Sequence, residues 1–576
     1  MLGRSPWGST FRLTRHRIQR LVSRITLFQS LVRPRSLAMM EACLIGLLSG
    51  LAAVALKQAA SGLNHFRVTW GPEAGVPPWL WLPVFGFVGC GVAGWLVHRF
   101  APEAGGSGIP HVKAVLALVR SPIGWRLAVV KFLSNALSLG SGLPLGRQGP
   151  TVQVGAAVAA QLCRWLPTSP EYRRQMIAAG AGAGLAAGFN APLAGVLFVV
   201  EELLRGDMSR VTLGPAILAS FVGAVVARTL GGEALAVNLN GLGMATGFEA
   251  MEIPAYVVLG ILAGGLGALF NRGILASLRW TQRWVIALPL KMALAGAVSG
   301  LTVAFLPEAF WNYTWLREGL LAVDPGVWFK LLVFGGNFAL TSMAFASGAP
   351  GGLFAPSLVL GMVLGSWVGW MSHIALGVPV TVTYSLVGMG ALFAAVSRVP
   401  MTAIAIVFEM TADFNVVLPL MMGVVIAYLV ADRLDPGSLY DRLLDLRGIR
   451  LPEKPLSTDL LAHLTAEDVM HGPVETLDAE LRLEAVLQAF QKSHHRGFPV
   501  TDGTDLVGIV TQTDITDWSK LHLPASTRLR DIMTHHPLTA TVDDSVAEVR
   551  YMFSRYRLSR VPVLEGRRVV GIDDTG

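Results

Sequence analysis

Charge is scarce in this chain. Asp, Glu, Lys and Arg make up 15% of its 576 residues and hydrophobic residues 53%, whereas soluble domains carry about 25% charged residues. Most of the length is therefore not an ordinary soluble fold. Cysteine is scarcer still. Cys43, Cys90 and Cys163 all sit in apolar context without metal-ligand spacing, which excludes a disulfide framework and leaves them as small packing residues. No nucleophile–base set, phosphate loop or metal-ligating cluster can be picked out, and the pairs His494-His495 and His535-His536 read as solvated surface. The expectation is a protein that is not an enzyme and holds no metal. Acid is missing from residues 1–35, which hold eight Arg immediately before the first apolar run. That pattern places the N-terminal arm in the cytoplasm by the positive-inside rule. The following run is too long for the apolar region of a signal peptide, and nucleic acid is not expected as a partner.

What the chain has in abundance is apolar sequence broken by glycine and proline. Runs such as Ala38–Val54, Ile253–Phe270 and Val416–Val430 recur from about residue 36 to 432, and several are long enough to span a bilayer. The expected fold is an all-α, multi-pass membrane domain over 36–446, embedded in lipid. Between runs lie Ser-Gly-x-Pro-x-Gly breaks, SGLPLGRQGP before residue 151 and SGAPGGLFAP before residue 357. Such irregular backbone is tolerated in a membrane only where it is buried in protein or lines a polar cavity.

The breaks belong to an internal repeat. Pro144, Gly146 and Pro150 pair with Pro350, Gly352 and Pro356 at an offset of 206. At an offset of 208, Gly180, Gly182, Ala186, Ala187, Pro192 and Glu201 match Gly388, Gly390, Ala394, Ala395, Pro400 and Glu409. Two halves, about 36–232 and 253–446, with paired broken helices are the pattern of transporters whose site lies at the repeat interface. The matches alone leave parallel and inverted halves open. Beyond a linker at 447–463, a second repeat runs at an offset of 63, pairing Asp468 with Asp531, Pro499 with Pro562 and Gly508 with Gly571. Its units, 464–520 and 525–576, read as a soluble α/β tandem.

Four Gly/Pro segments, 106–110, 146–150, 190–193 and 351–356, can present free backbone amides. Helix N-termini favour anions through those amides and the positive end of the dipole. Lys131 and Arg147 add positive potential nearby. The competing reading is that glycine and proline merely permit close helix packing or kinks; four segments paired across a repeat argue against it.

These segments resemble a known family. Gly106-Ser107-Gly108-Ile109-Pro110, Gly146-Arg147-Gln148-Gly149-Pro150 and Gly352-Leu353-Phe354-Ala355-Pro356 resemble the three selectivity-filter segments of the CLC chloride channels and chloride/proton transporters, in the same order, and Tyr440 matches the family's late pore tyrosine. The tandem resembles a pair of CBS motifs. The resemblance implies inverted halves and a homodimer with one pore per subunit. It implies a central chloride held by the hydroxyls of Ser107 and Tyr440 and the amides of Leu353 and Phe354, with Gly108 and Ile109 alongside. Ser107 points to chloride, since members preferring nitrate or fluoride differ there.

Gln148 departs from the family pattern. Most members have Glu there, a carboxylate that gates the outer site and carries the proton in exchangers. Gln is nearly isosteric but cannot ionise. Glu202 matches the inner proton-transfer glutamate of the exchangers and is retained. Gln148 predicts passive, proton-uncoupled chloride flow. The alternative is a chloride/proton antiporter that uses Glu202 with another outer proton group. A cation transporter would need clustered acids in its spans, and the Lys and Arg beside the breaks argue against it. Glu201 and Glu409 read as structural. In the tandem, Thr511 and Asp514 fit the ribose- and phosphate-binding pattern of an adenine-nucleotide site. The second copy stops at Gly571-Ile572-Asp573-Asp574-Thr575-Gly576 without that element, and a structural pair remains the competing reading. No cofactor is required for transport. The Arg-rich arm and compact size point to a bacterial inner membrane, with the tandem in the cytoplasm.

Overall fold

The structure is a computed structural model. It describes residues 34–204, 210–231, 248–306, 326–449 and 465–574, apart from isolated positions and short runs within those spans. The arm over 1–33 and the linker over 450–463 lie outside the described residues. The chain divides into two compact units after Leu451.

The elements described in the first unit are all helices. Its first half holds α1 (Pro34–Glu73), α2 (Pro78–Phe100), α3 (Ile109–Leu116), α4 (Trp125–Gly140), α5 (Gln148–Trp165), α6 (Pro170–Phe189), α7 (Pro192–Phe198) and α8 (Arg210–Gly231). The second half holds α9 (Ile253–Gln282), α10 (Leu288–Ala304), α11 (Val327–Ala346), α12 (Phe354–Leu376), α13 (Val382–Ser397), α14 (Pro400–Thr411) and α15 (Val417–Leu434), followed by the short α16 (Leu439–Asp445). Proline sits in the first turn of α2, α3, α7, α9, α10 and α14, where its missing N–H costs no helical bond. Six described helical stretches are long and apolar enough to cross a membrane. Among the helices outside those stretches, α13 is wholly enclosed: every one of its residues is buried, as an all-round apolar helix requires.

Equivalent helices of the two halves pack alike. A Cβ at Gly155 on α5 would lie 2.1 Å from the Gly180 carbonyl oxygen on α6, and one at Gly361 on α12 would lie 2.3 Å from that of Gly388 on α13. Those four glycines keep the offsets of 206 and 208, so the repeat preserves backbone-to-backbone contact and not merely apolar character. Glu201 and Glu409 close the symmetry. Glu409 accepts the amides of Leu193 and Ala194 at the start of α7, each at 2.9 Å. Glu201 accepts those of Met401 and Thr402 at the start of α14, at 3.0 and 2.9 Å, and the Thr402 hydroxyl at 2.7 Å. Each half caps a broken helix of the other, which is a structural use of both acids.

The second unit contains α17 (Ala466–Val469), β1 (Leu477–Asp478), α18 (Leu483–Lys492), β2 (Gly497–Asp502), β3 (Asp505–Thr511), β4 (Thr534–His535), β5 (Ala540–Thr541), β6 (Arg560–Glu565) and β7 (Arg568–Asp574). The strands form one sheet in the order β1-β2-β3-β7-β6-β5, with β4 on β3. The hairpins β2–β3 and β6–β7 share a register at an offset of 63, including an irregularity at Val500/Thr501 and Val563/Leu564. The lead-in segments are exchanged. The Ala466 amide bonds to the Asp544 carbonyl and the Leu529 amide to the Leu481 carbonyl, both at 2.8 Å. Likewise Met470 packs on Gly571 and Met533 on Gly508. Each repeat therefore completes its core with a segment of the other.

Candidate functional site

The two Gly/Pro breaks meet directly. Gly146 and Gly352, equivalent positions of the repeat, form an antiparallel bridge, with amide–carbonyl distances of 2.7 and 2.6 Å. The third segment joins through the Gly351 amide to the Gly106 carbonyl at 3.1 Å and the Gly106 amide to the Gly348 carbonyl at 3.3 Å. Gly149 is the point of closest approach. A Cβ there would lie 2.6 Å from the Ser107 carbonyl oxygen, 2.7 Å from its Oγ and 3.2 Å from the Gly352 Cα. A side chain at 149 would push the three segments apart.

Buried polar side chains hold these loops. Lys131 on α4 donates to the Ala104 carbonyl at 2.8 Å and the Gly106 carbonyl at 2.6 Å. Asn135, one turn on, donates to the Pro350 carbonyl at 2.7 Å, and Thr341 on α11 to the Pro144 carbonyl at 3.2 Å. Lys131 thus braces the first segment as well as bringing charge. Gly106 and Gly108 have φ of 69° and 90°, left-handed values that favour glycine, and Gly108 leads directly into α3.

Three helices start from these segments: α3 at Ile109, α5 at Gln148 and α12 at Phe354. Pro110, Pro150 and Pro356 all fall within a first turn, and the remaining first-turn amides have no carbonyl in their own helix. Ser107, Ile109, Gln148, Leu353, Phe354 and Tyr440 are all buried. The Tyr440 hydroxyl faces those of Ser107 and Ser397, yet none of the three hydroxyls closes a hydrogen bond among the described residues. Buried hydroxyls are normally satisfied, so donors left open beside helix starts mark a place for an acceptor. Below them the Phe354 ring meets Phe393 edge-on at 4.7 Å and Tyr440 at 6.1 Å. Gln148 folds its amide oxygen against Gly146 and leaves it without a described partner. Arg147 is the residue immediately before α5.

Glu202 lies on a π-helical turn, Val199–Leu203, that continues α7. Its Oε1 accepts from the Lys113 ammonium at 2.7 Å and from the Ser438 hydroxyl at 3.3 Å. Lys113 also lies 2.7 Å from Asp441 Oδ1. The sequence reading singled out neither Lys113 nor Ser397. A buried acid needs a partner, and the lysine one turn past Ile109 was a findable signal; a serine ending α13 carries no comparable mark.

In the second unit, Thr511 and Asp514 bond to each other. Asp514 Oδ2 accepts the Thr511 amide at 2.7 Å and its hydroxyl at 2.8 Å.

Comparison with known proteins places the chain in a family. The family described as voltage gated chloride channel matches residues 89–432, and the CBS domain matches 466–520 and 529–572. The H(+)/Cl(-) exchange transporter ClcA of Cronobacter sakazakii is 36% identical over 423 residues, covering 70% of this chain and 88% of its own. Its namesake from Vibrio cholerae serotype O1 is 34% identical over 434 residues, covering 72% and 90%. A slow cyanobacterial Cl-/H+ antiporter superposes with a TM-score of 0.68 at 30% identity over 72% of this chain and 98% of that one. A eukaryotic CLC transporter shares the fold with a TM-score of 0.64 at 23% identity, over 93% of this chain and 97% of its own. The chain belongs to the CLC family, the voltage gated chloride channel family, and carries a C-terminal pair of CBS domains.

Proposed function

We propose that this protein moves chloride through the site formed by the three glycine-rich segments. The observation that carries the reading is the convergence of the starts of α3, α5 and α12 with the open hydroxyls of Ser107 and Tyr440. A helix start favours an anion by about 0.3–1 kcal/mol, up to about 2 when partly buried. A hydrogen bond to a charged group adds about 1.5–3 kcal/mol. Three starts and two hydroxyls together offset part of the cost of dehydrating the ion. Such a site fills and still releases its ion. In this reading Ser107, Tyr440 and the amides of Leu353 and Phe354 hold the central ion, with Gly108 and Ile109 beside it. Gly106, Pro110, Gly146, Arg147, Gly149, Pro150, Gly352, Ala355 and Pro356 shape the filter, and Gln148 occupies the gate.

On coupling, two bodies of observation pull apart. Within this chain, Gln148 offers no titratable proton carrier, and Glu202 is engaged by Lys113. Both favour passive, proton-uncoupled flow, the reading we adopt from the site. The relatives at 34–36% identity are named H(+)/Cl(-) exchange transporters, and the retained Glu202 fits exchange as well. They favour the second reading, a chloride/proton antiporter with an outer proton group other than residue 148. The protein acts as a homodimer with one pore per subunit in a bacterial inner membrane, with its basic arm and CBS pair in the cytoplasm. Purified protein in liposomes under an outward chloride gradient, with external pH recorded, decides between the two. Uncoupled flow gives chloride flux without uphill proton movement; uphill proton uptake would establish exchange.

A further inference from the structure

A cavity of about 350 Å³ opens between the ends of α2, α4 and α5, walled by residues 100–103, 122–127, 161 and 164. None of these residues belongs to the filter segments, and the space is ligand-sized. Two arginines line it, Arg126 in the first turn of α4 and Arg164 in the last turn of α5, against one acid, Glu103. Arg164 gives one guanidinium nitrogen to the Ile123 carbonyl at 2.8 Å, and Arg126 has no partner among the described residues. Glu103 forms no ion pair with either arginine. The first turn of α4 holds no acid and has no side-chain cap, and the Trp125 amide reaches Gln161 Oε1 only at 3.4 Å. An arginine at that end opposes the helix dipole, so the protein leaves the positive charge of this cavity in excess.

The cavity lies where helices leave the bilayer. The chain reverses from α1 into α2 through residues 74–77, and the Trp81 indole donates to the Arg67 carbonyl at 2.8 Å. Phe100, at the far end of α2, therefore lies on the side from which α1 begins, which the positive-inside rule makes cytoplasmic. Trp125 and Phe100 are exposed at the rim, and so is Trp165 next to Arg164. Exposed tryptophans at helix ends mark the boundary between lipid and water. We infer that this cavity binds the headgroup of an anionic phospholipid of the cytoplasmic leaflet, with Arg126 and Arg164 on its phosphate and Trp125 beside the start of its chains. Arg99, over the Phe100 ring at 5.8 Å, adds a third positive charge at the edge. Basic pockets between transmembrane helices on that face take such headgroups, and the aromatic rim favours a lipid over a free phosphate. The inference uses the orientation proposed above only to name the leaflet.

Native mass spectrometry of the purified full chain in micelles tests the site apart from that orientation. The probes are phosphatidylglycerol and, with the same acyl chains, phosphatidylcholine. Wild type should hold one phosphatidylglycerol per subunit more tightly than phosphatidylcholine. R126A/R164A should weaken phosphatidylglycerol binding by about thirtyfold, about fivefold for each arginine, and leave phosphatidylcholine where it was. E103Q should tighten phosphatidylglycerol binding, because it removes the acid. R279A/R283A takes the same charge from the end of α9, outside the cavity and beside the exposed Trp280 and Trp284, and should bind like wild type. Equal weakening by the two double variants would overturn the inference, since charge anywhere on that face would then suffice. So would R126A/R164A binding phosphatidylglycerol as tightly as wild type, or wild type holding both lipids alike. Glycerol phosphate, which lacks acyl chains, should not displace the lipid; displacement at equal concentration would overturn the assignment to a lipid. If R126A/R164A fails to fold, R126A alone decides by the same comparison, with an expected loss of about fivefold.

Discussion

Replacing Glu409 by alanine tests whether the repeat is held together by exchanged caps. In the native protein both oxygens of Glu409 accept amides at the start of α7, Leu193 and Ala194, at 2.9 Å each. Alanine removes both acceptors at once. Ala194 is buried and Leu193 is largely exposed, so the two losses differ. A buried N–H left without an acceptor costs about 1–3 kcal/mol. The amide at the exposed residue costs less, and loss of the anionic partner at a helix start adds about 0.3–1 kcal/mol. The sum is about 2–4 kcal/mol. Glu409→Gln keeps one good acceptor and should cost about half as much, because its NH2 group cannot accept. Glu201→Ala at the equivalent position should match or exceed Glu409→Ala, since Glu201 also takes the Thr402 hydroxyl. The assay is a reversible denaturant titration of purified protein in mixed micelles. A Glu409→Ala variant as stable as wild type, or a Gln variant as unstable as the Ala variant, would refute the capping argument.

Three further predictions concern the filter and the second unit. Gln148→Glu places an ionisable group against Gly146 and should slow chloride flow at neutral pH and make it pH-dependent in liposome flux; unchanged, pH-independent flux would remove residue 148 from the path. Ser107→Pro removes one open hydroxyl and should shift the chloride-over-nitrate preference measured from reversal potentials, whereas an unmoved preference would displace the central site from Ser107. In the second unit, Asp468 bonds to the Thr465 amide and hydroxyl, which hold its carboxyl below the usual aspartate range. A depressed pKa contributes stability above the ordinary aspartate value of about 4 and loses it as pH falls through the lowered one. Hydrogen-exchange protection of the first turn of α17 should therefore fall on acidification below pH ~4, and equal protection on both sides of that value would count against the capping role.

Much of the architecture was legible because it is written in periodic or punctuating residues. Pro110, Pro192 and Pro400 mark helix starts because proline removes a donor that a first turn does not use. The offsets of 206, 208 and 63 reappear in three dimensions as the Gly146–Gly352 bridge, the matching glycine contacts of α5–α6 and α12–α13, and the matching strand registers of the second unit. Repeats survive in sequence where backbone approaches backbone, since there the residue type is forced.

The sequence by itself determined that the chain lives in a membrane, that it is built of two related halves and a tandem, and that its glycine-rich breaks are paired across the halves and resemble the filter segments of the CLC family. These follow from composition, offset and motif, which are properties of order along the chain. Only the tertiary structure decided who partners whom. It gave Lys131 to the carbonyls of the first filter segment, exchanged the caps of Glu201 and Glu409 between the halves, swapped the lead-in segments of the CBS repeats, and set Lys113 between Glu202 and Asp441. The physical reason is distance in sequence. Lys113 and Glu202 are 89 residues apart, and no local propensity records that a buried ammonium will find its counter-charge on a helix contributed so far along the chain.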